Sequence, residues 1–166
     1  ICRQIPWDDD PVLLSAWKEA RTGYPWIDAA MTQLWRVGWM PNYMRHVVAG
    51  FLVEFLNLDW RLGERWFAET LVDADTAINA YMWQNGGHSG MDQWNFVMHP
   101  VYAAKSCDPE GEYVRQWLPQ LAGLAFPVRD APLAQRADPL RHRTRPALLP
   151  VREARRLGRP TAARSP

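Results

Sequence analysis

Apolar residues return every three or four positions between Met44 and Leu56: Met44, Val47, Val48, Phe51, Leu52, Phe55 and Leu56 make one broad stripe. That period matches the 3.6-residue turn of an α-helix and predicts a long helix opening at Pro41. The same pattern, punctuated by caps and turns, predicts five more. Asp10-Pro11 opens the first, with Asp as cap and Pro at the first helical position, over Leu13, Leu14 and Trp17. Thr22-Gly23-Tyr24-Pro25 reads as a turn, and a second helix starts at Asp28, carries Met31, Leu34 and Trp35, and stops at Gly38. Beyond the long helix, residues 61–72 turn Trp66, Phe67 and Leu71 inward, and residues 75–84 form a short helix closed by Gly86-Gly87. A loop over 87–111 then precedes a last helix over 112–121. Nothing alternates with the period of two that a strand demands, so the fold class is all-α.

Composition divides the chain in two. Residues 1–126 hold 9 Lys/Arg against 15 Asp/Glu, whereas residues 127–166 hold 10 Arg against 3 acids. The second stretch also carries seven prolines and no Phe, Tyr or Trp. It cannot bury enough apolar surface to offset chain entropy, so a disordered basic tail is expected from residue 127 on. Two cysteines, Cys2 and Cys107, make neither a disulfide framework nor a metal spacing and fit a reduced intracellular setting. Charges interrupt every apolar run before it reaches membrane-spanning length. The chain opens Ile-Cys-Arg-Gln-Ile-Pro and reads as a fragment.

Candidate chemistry sits on the short helix. Asp75, Asn79 and Trp83 fall at i, i+4 and i+8, so an acid, an amide and an indole share one face. Trp7 and Trp60 lie in other segments of a chain in which 10 of 166 residues are Trp. Trp at helical spacing is usually core, and Trp17, Trp26, Trp35 and Trp66 are assigned there. Arg45, three residues after Asn42 in an apolar helix, invites pairing with Asp73 or Asp75, as a buried structural pair or as a polar site on an apolar wall. His46, His88, His99 and His142 are scattered, which argues against zinc. The loop Asn85-Gly86-Gly87-His88-Ser89-Gly90 lacks the strand and Lys of a phosphate-binding loop.

Five stretches resemble the C-terminal flavin-binding half of the cryptochrome/DNA photolyase family, in family order and spacing. They are Ala20-Arg-Thr-Gly-Tyr-Pro-Trp-Ile-Asp-Ala-Ala-Met-Thr-Gln-Leu34, Gly38-Trp-Met-Pro-Asn-Tyr-Met-Arg45, Asp59-Trp-Arg-Leu-Gly-Glu-Arg-Trp-Phe67, Leu71-Val-Asp-Ala-Asp75 and Asp108-Pro-Glu-Gly-Glu-Tyr-Val-Arg-Gln-Trp-Leu-Pro119. The variants Pro41-Asn-Tyr-Met-Arg-His46, Met82-Trp-Gln-Asn-Gly-Gly87 and Gly90-Met-Asp-Gln-Trp-Asn-Phe96 are most similar to plant-like cryptochromes of algae, diatoms and plants. The resemblance implies a helical lobe holding FAD. It implies that Trp39, Asn42 and Arg45 line the flavin pocket, that Asp73 pairs with Arg45, that Asp75 contacts the flavin or its ribityl side, and that Asn79 faces flavin N5. It maps the family's electron chain onto Trp83, Trp60 and Trp7.

Departures from the family pattern weigh against DNA repair. Two residues after Trp83, where dimer-repairing members stack a Trp on the lesion, stands Asn85. Tyr43 replaces the Arg that approaches the lesion, and Pro41 the His that acts on the (6-4) lesion. Base stacking contributes about 1–3 kcal/mol per base, so lesion binding should weaken, although Tyr43 or Trp94 offers another platform. The reading is a blue-light photoreceptor fragment whose Trp chain photoreduces FAD. The alternatives are a photolyase repairing pyrimidine dimers (a lyase, if the protein is an enzyme) and a helical module that no longer binds flavin. Partners implied are DNA, through the flavin-access cavity and the basic tail, and a signalling protein that the sequence does not identify. Nucleus, cytoplasm and chloroplast are not distinguished.

Overall fold

The computed structural model describes residues 5–89 and 98–123. Seven α-helices lie among them: α1 (Pro11–Lys18), α2 (Pro25–Val37), α3 (Asn42–Gly50), α4 (Trp60–Thr70), α5 (Thr76–Gly86), α6 (Pro100–Cys107) and α7 (Glu112–Trp117). A π-helical turn (Phe51–Phe55) follows α3, and a 3₁₀ turn (Pro119–Leu121) follows α7. No strand forms among the described residues; one isolated parallel bridge joins Asp8 to Leu58. The all-α expectation therefore stands. The basic stretch 127–166, the motif over 90–96 and Trp94 lie outside the described residues.

Several boundaries follow from identifiable caps. Asp10 accepts the Val12 and Leu13 amides at 3.0 and 3.1 Å, satisfying two of the donors that a helix start leaves open. The second helix begins at Pro25, earlier than Asp28, because Asp28 folds back instead of capping. Its carboxylate accepts Thr22 N at 2.8 Å, Thr22 Oγ1 at 2.6 Å and Gly23 N at 3.0 Å, locking the preceding turn. Gly38 ends α2 with φ of 68°, a left-handed conformation that Gly enters without steric cost. Leu71 turns extended after Thr70, and Val72 N donates to Gly38 O at 2.8 Å, tying the end of α4 to the end of α2.

Three expectations are corrected. The long helix is not a single α-helix: its 3.6-residue ladder ends at Gly50 and widens into the π turn, where Phe51 stacks on Phe55 at 5.4 Å. Phe51, Leu52 and Val53 are all buried there, so the extra residue lets consecutive side chains face the core. The loop over 87–111 contains α6, started by Pro100 with the His99 ring accepting Val101 N. Trp35 is not core: it is 70% exposed and lies flat on Trp66, with centroids 5.7 Å apart and an interplanar angle of 4°. Trp17 and Trp26 are buried as expected, and Trp66 packs at the core's edge.

Helix α2 meets α1, α3, α6 and α7; α3 packs between α2 and α5, and α4 runs along α5. Trp17 of α1 is fully buried and donates its indole N–H to Val48 O at 3.3 Å. The chain ahead of α1 is held as a strap across the 57–58 turn. Asp8 N donates to Asn57 O at 2.8 Å, and Asn57 Nδ2 donates to Pro6 O at 3.0 Å.

Candidate functional site

Between α3, α4 and α5 lies a cavity of about 280 Å³. Helix α3 contributes Asn42, Arg45, His46 and Ala49, which are positions i, i+3, i+4 and i+7 of one face. The turn after α4 contributes Asp73 and Asp75, and α5 contributes Ile78, Asn79, Met82 and Trp83, again one stripe. Five of the six residues expected to bind cofactor thus meet in one wall, with the first indole of the expected chain. Trp39 does not join them; it is 43% exposed and outside the lining. A smaller cleft of about 60 Å³, bounded by Tyr24, Trp26, Pro100 and Val114, holds none of the expected residues.

Arg45 is anchored from two sides. Its Nε donates to Met40 O at 3.0 Å, and its Nη2 donates to both Asp73 oxygens at 3.0 and 2.8 Å. Of the two alternatives, a buried pair or a polar site on an apolar wall, the pair is not buried, since the side chains are 24% and 46% exposed. Water screens it, so its net contribution to folding is about 0–1 kcal/mol, not the about 3–5 kcal/mol lost on breaking a buried pair. Asp75 caps α5, accepting Ile78 N at 2.8 Å. Asn79 donates its amide to Glu64 O at 2.9 Å, which leaves its carbonyl oxygen as an acceptor. His46 is a cavity residue that the sequence reading passed over. Burial lowers its pKa below the ordinary imidazole value, so the ring is neutral at pH 7. Its spacing of four from Asn42 was the available signal.

Trp83 is 3% exposed and packs edge-on against Phe67, at 5.1 Å, and Trp17, at 6.5 Å. Two glycines bring α4 and α5 together. A methyl at Gly63, three residues after Trp60, would fall 2.5 Å from Cζ3 of Trp83. A methyl at Gly87, four after Trp83, would fall 2.8 Å from Cβ of Trp60. Each helix thus offers a bare backbone position to the other's indole. Trp60 is 7% exposed and carries the Arg61 guanidinium over its ring at 4.7 Å. Trp7 is partly buried against the core, on the strap that binds the turn just before α4.

Neither of the two residues expected to face a substrate lines this cavity. Tyr43 lies outside the cavity lining, with its ring 6.2 Å from that of Trp26. Desolvation, with the Cys107 thiol adding, raises its hydroxyl pKa. Asn85 is 1% exposed and also outside the lining. Among the described residues no three His, Cys, Asp or Glu gather as a metal site, and no helix is long and apolar enough to cross a membrane.

Residues 1–146 match the family model described as the FAD binding domain of DNA photolyase. The chain belongs to the DNA photolyase/cryptochrome family. It is 44% identical over 124 residues to Cryptochrome-1 of Sinapis alba, covering 74% of this chain and 25% of that protein. It is likewise 44% identical over 120 residues to the deoxyribodipyrimidine photo-lyase of Escherichia coli strain K12, covering 71% and 25%. Among solved structures it is similar to a bacterial class III photolyase from Agrobacterium tumefaciens, with a TM-score of 0.69 and 43% identity over 72% of this chain and 25% of that one. The chain thus spans about a quarter of the length of these relatives. FAD is the cofactor of the matched family domain. Equal identity to a plant cryptochrome and a bacterial photolyase selects neither the plant-like subgroup nor one activity.

Proposed function

We propose that this chain forms one wall of the FAD site of a blue-light photoreceptor, with Trp83, Trp60 and Trp7 carrying charge away from that site. The observation that carries the reading is the wall itself: a cation, two acids, an amide and an indole converge on one cavity whose indole is packed through bare glycines toward a second. These groups fit FAD. Arg45, held by Asp73, suits an anionic or carbonyl edge, and Asp75 a hydroxylated chain. The free carbonyl of Asn79 suits a protonated ring nitrogen such as N5. A cavity of about 280 Å³ falls just below the usual range of ligand sites, about 300–1,000 Å³, as one wall of a larger site would.

Bound FAD, excited by blue light, supplies a one-electron oxidant. Trp83, nearest the cavity, gives up the electron; Trp60 refills Trp83 and Trp7 refills Trp60. The hole finishes on Trp7, the most exposed of the three rings. Neutral His46 adds no positive charge beside that site.

A light-driven repair function is the second reading, supported by equal likeness to a photolyase. Against it stand Asn85 and Tyr43, neither of which presents a stacking surface to the cavity. The test uses flavin-loaded full-length protein, blue light and an oligonucleotide carrying one pyrimidine dimer. Photoreduction without repair is the expected result, and Trp83→Phe should slow photoreduction at least tenfold. Many repair turnovers would overturn the photoreceptor reading, and an unchanged rate in W83F would remove Trp83 from the chain.

A further inference from the structure

Three cations sit over aromatic rings among the described residues, and they are unequally placed. Lys18 lies over Trp66, Lys105 over Tyr102, and Arg61 over Trp60. Of the three indoles assigned above to charge transfer, the middle one alone carries a guanidinium. Its carbon stands 4.7 Å from the ring centroid. It is fixed there from below, because Arg61 Nη1 also donates to Asp59 Oδ1 and Oδ2 at 3.2 and 3.0 Å. Asp59 in turn is the cap of α4, so the clamp is built into the helix start. Trp60 is also the first residue of α4, in the positive end of the helix field.

A guanidinium over a neutral indole is attracted by the negative face of the ring. Remove one electron from that indole and the attraction becomes repulsion between two cations. We propose that Arg61 is a positioning residue that keeps the positive hole from resting on Trp60. The inference depends on the charge-transfer reading given above and adds to it a direction. In the forward step an electron passes from Trp60 to oxidised Trp83, restoring Trp83; a second passes from Trp7 to oxidised Trp60, restoring Trp60. The net change is one electron lost by Trp7 and one gained at the cavity, with photoexcited flavin as the oxidant. Because the cation makes Trp60 a less favourable seat than Trp7, a hole that has reached Trp7 is opposed on the way back. Partly hydrated Trp7, over whose ring no cation lies among the described residues, is the better seat. Asp59 offsets part of the Arg61 charge, and Arg61 is 48% exposed, so the bias is a modest one.

The test compares wild type, Arg61→Met, which keeps the aliphatic cover and loses the charge, and Arg61→Lys, which keeps the charge. In flavin-loaded full-length protein, flash absorption and Trp-radical spectra report how the hole divides between Trp60 and Trp7. In flavin-free protein, azide radical generated in solution oxidises Trp directly, and peptide mass spectrometry gives the Trp60-to-Trp7 product ratio. Thermal melts followed by circular dichroism establish that each variant is folded; Arg61→Gln replaces Arg61→Met if the latter is not. The ratio should rise about two- to five-fold in Arg61→Met in both arms and stay near wild type in Arg61→Lys. An unchanged ratio in Arg61→Met overturns the proposal, as does an equal shift in both variants, which would make shape and not charge the cause. The azide arm does not need flavin, so failure there is separate from failure of the photoreceptor reading.

Discussion

Gly63→Ala should destabilise this protein, although the same change in an open helix would stabilise it. Gly63 is an interior position of α4, where replacing Gly by Ala ordinarily gains about 0.5–1 kcal/mol through lower backbone entropy in the unfolded chain. The added methyl, however, would meet Trp83 Cζ3 at 2.5 Å and Cζ2 at 2.7 Å, against the roughly 3.5–4.0 Å separation at which carbon atoms attract. The obstacle is a rigid ring, 3% exposed and wedged against Phe67 and Trp17, so it cannot swing aside as a flexible chain end would. Overpacking of this kind costs about 1–3 kcal/mol, which exceeds the entropic gain. The net expectation is a loss of about 1–2 kcal/mol. Gly50 is the internal control: its φ is −60°, nothing lies within 4 Å of the methyl it would gain, and Gly50→Ala should stabilise by about 0.5–1 kcal/mol. Urea denaturation of the two variants beside wild type, with near-ultraviolet circular dichroism reporting on the indoles, measures both signs. If Gly63→Ala proves as stabilising as Gly50→Ala, then α4 and Trp83 are not in contact and the packed route from Trp83 to Trp60 fails with it.

Two other outcomes follow from the cavity wall. His46 has its pKa lowered by burial, so between the unfolded value near 6.5 and the lower folded value the unfolded chain binds more protons, and stability falls as pH drops through that window. In flavin-free protein His46→Gln should flatten the fall in urea midpoint between pH 7.5 and pH 5; an undiminished fall would mean that the titrating group is another one. Arg45→Met should change folding stability by no more than about 1 kcal/mol, because its pair with Asp73 is partly exposed, yet weaken FAD binding about tenfold or more through loss of a charged donor. Calorimetric titration with FAD beside a urea melt separates the two, and equal effects on both would assign Arg45 a structural role.

The α5 stripe was legible because spacing alone puts Asp75, Asn79 and Trp83 on one face whatever the surroundings. The same rule, applied to α3, would have added His46. What escaped was set by tertiary packing or by weak local signals. Helix α6 has eight residues and a His cap, too short and too unusual to announce itself within a long Gly-bounded loop. The π turn leaves no mark on a 3.6-residue pattern, because one inserted residue moves apolar side chains from one apolar neighbourhood to another. Trp35 was misplaced since hydrophobicity states a preference for burial and not a guarantee; a ring laid on Trp66 meets part of it. The expectation for Tyr43 and Asn85 rests on likeness to relatives and not on spacing; here Tyr43 lies beside Trp26 and Asn85 is buried.

The strap that carries Trp7 is fastened differently from the rest. Trp83 and Trp60 are embedded in helices, whereas residues 6–8 are held to Asn57 by two hydrogen bonds, each with a net contribution of about 0.5–1.5 kcal/mol. The strap lies outside the helices and is held by these bonds and the packing of Trp7, so its amides should exchange with solvent before those of α3. For the charge-transfer route proposed above, a strap that lifts while the helices stay intact would lengthen the gap to Trp7 and leave Trp83 and Trp60 in place. On that route, the two inner indoles sit in helices and the outermost on the strap.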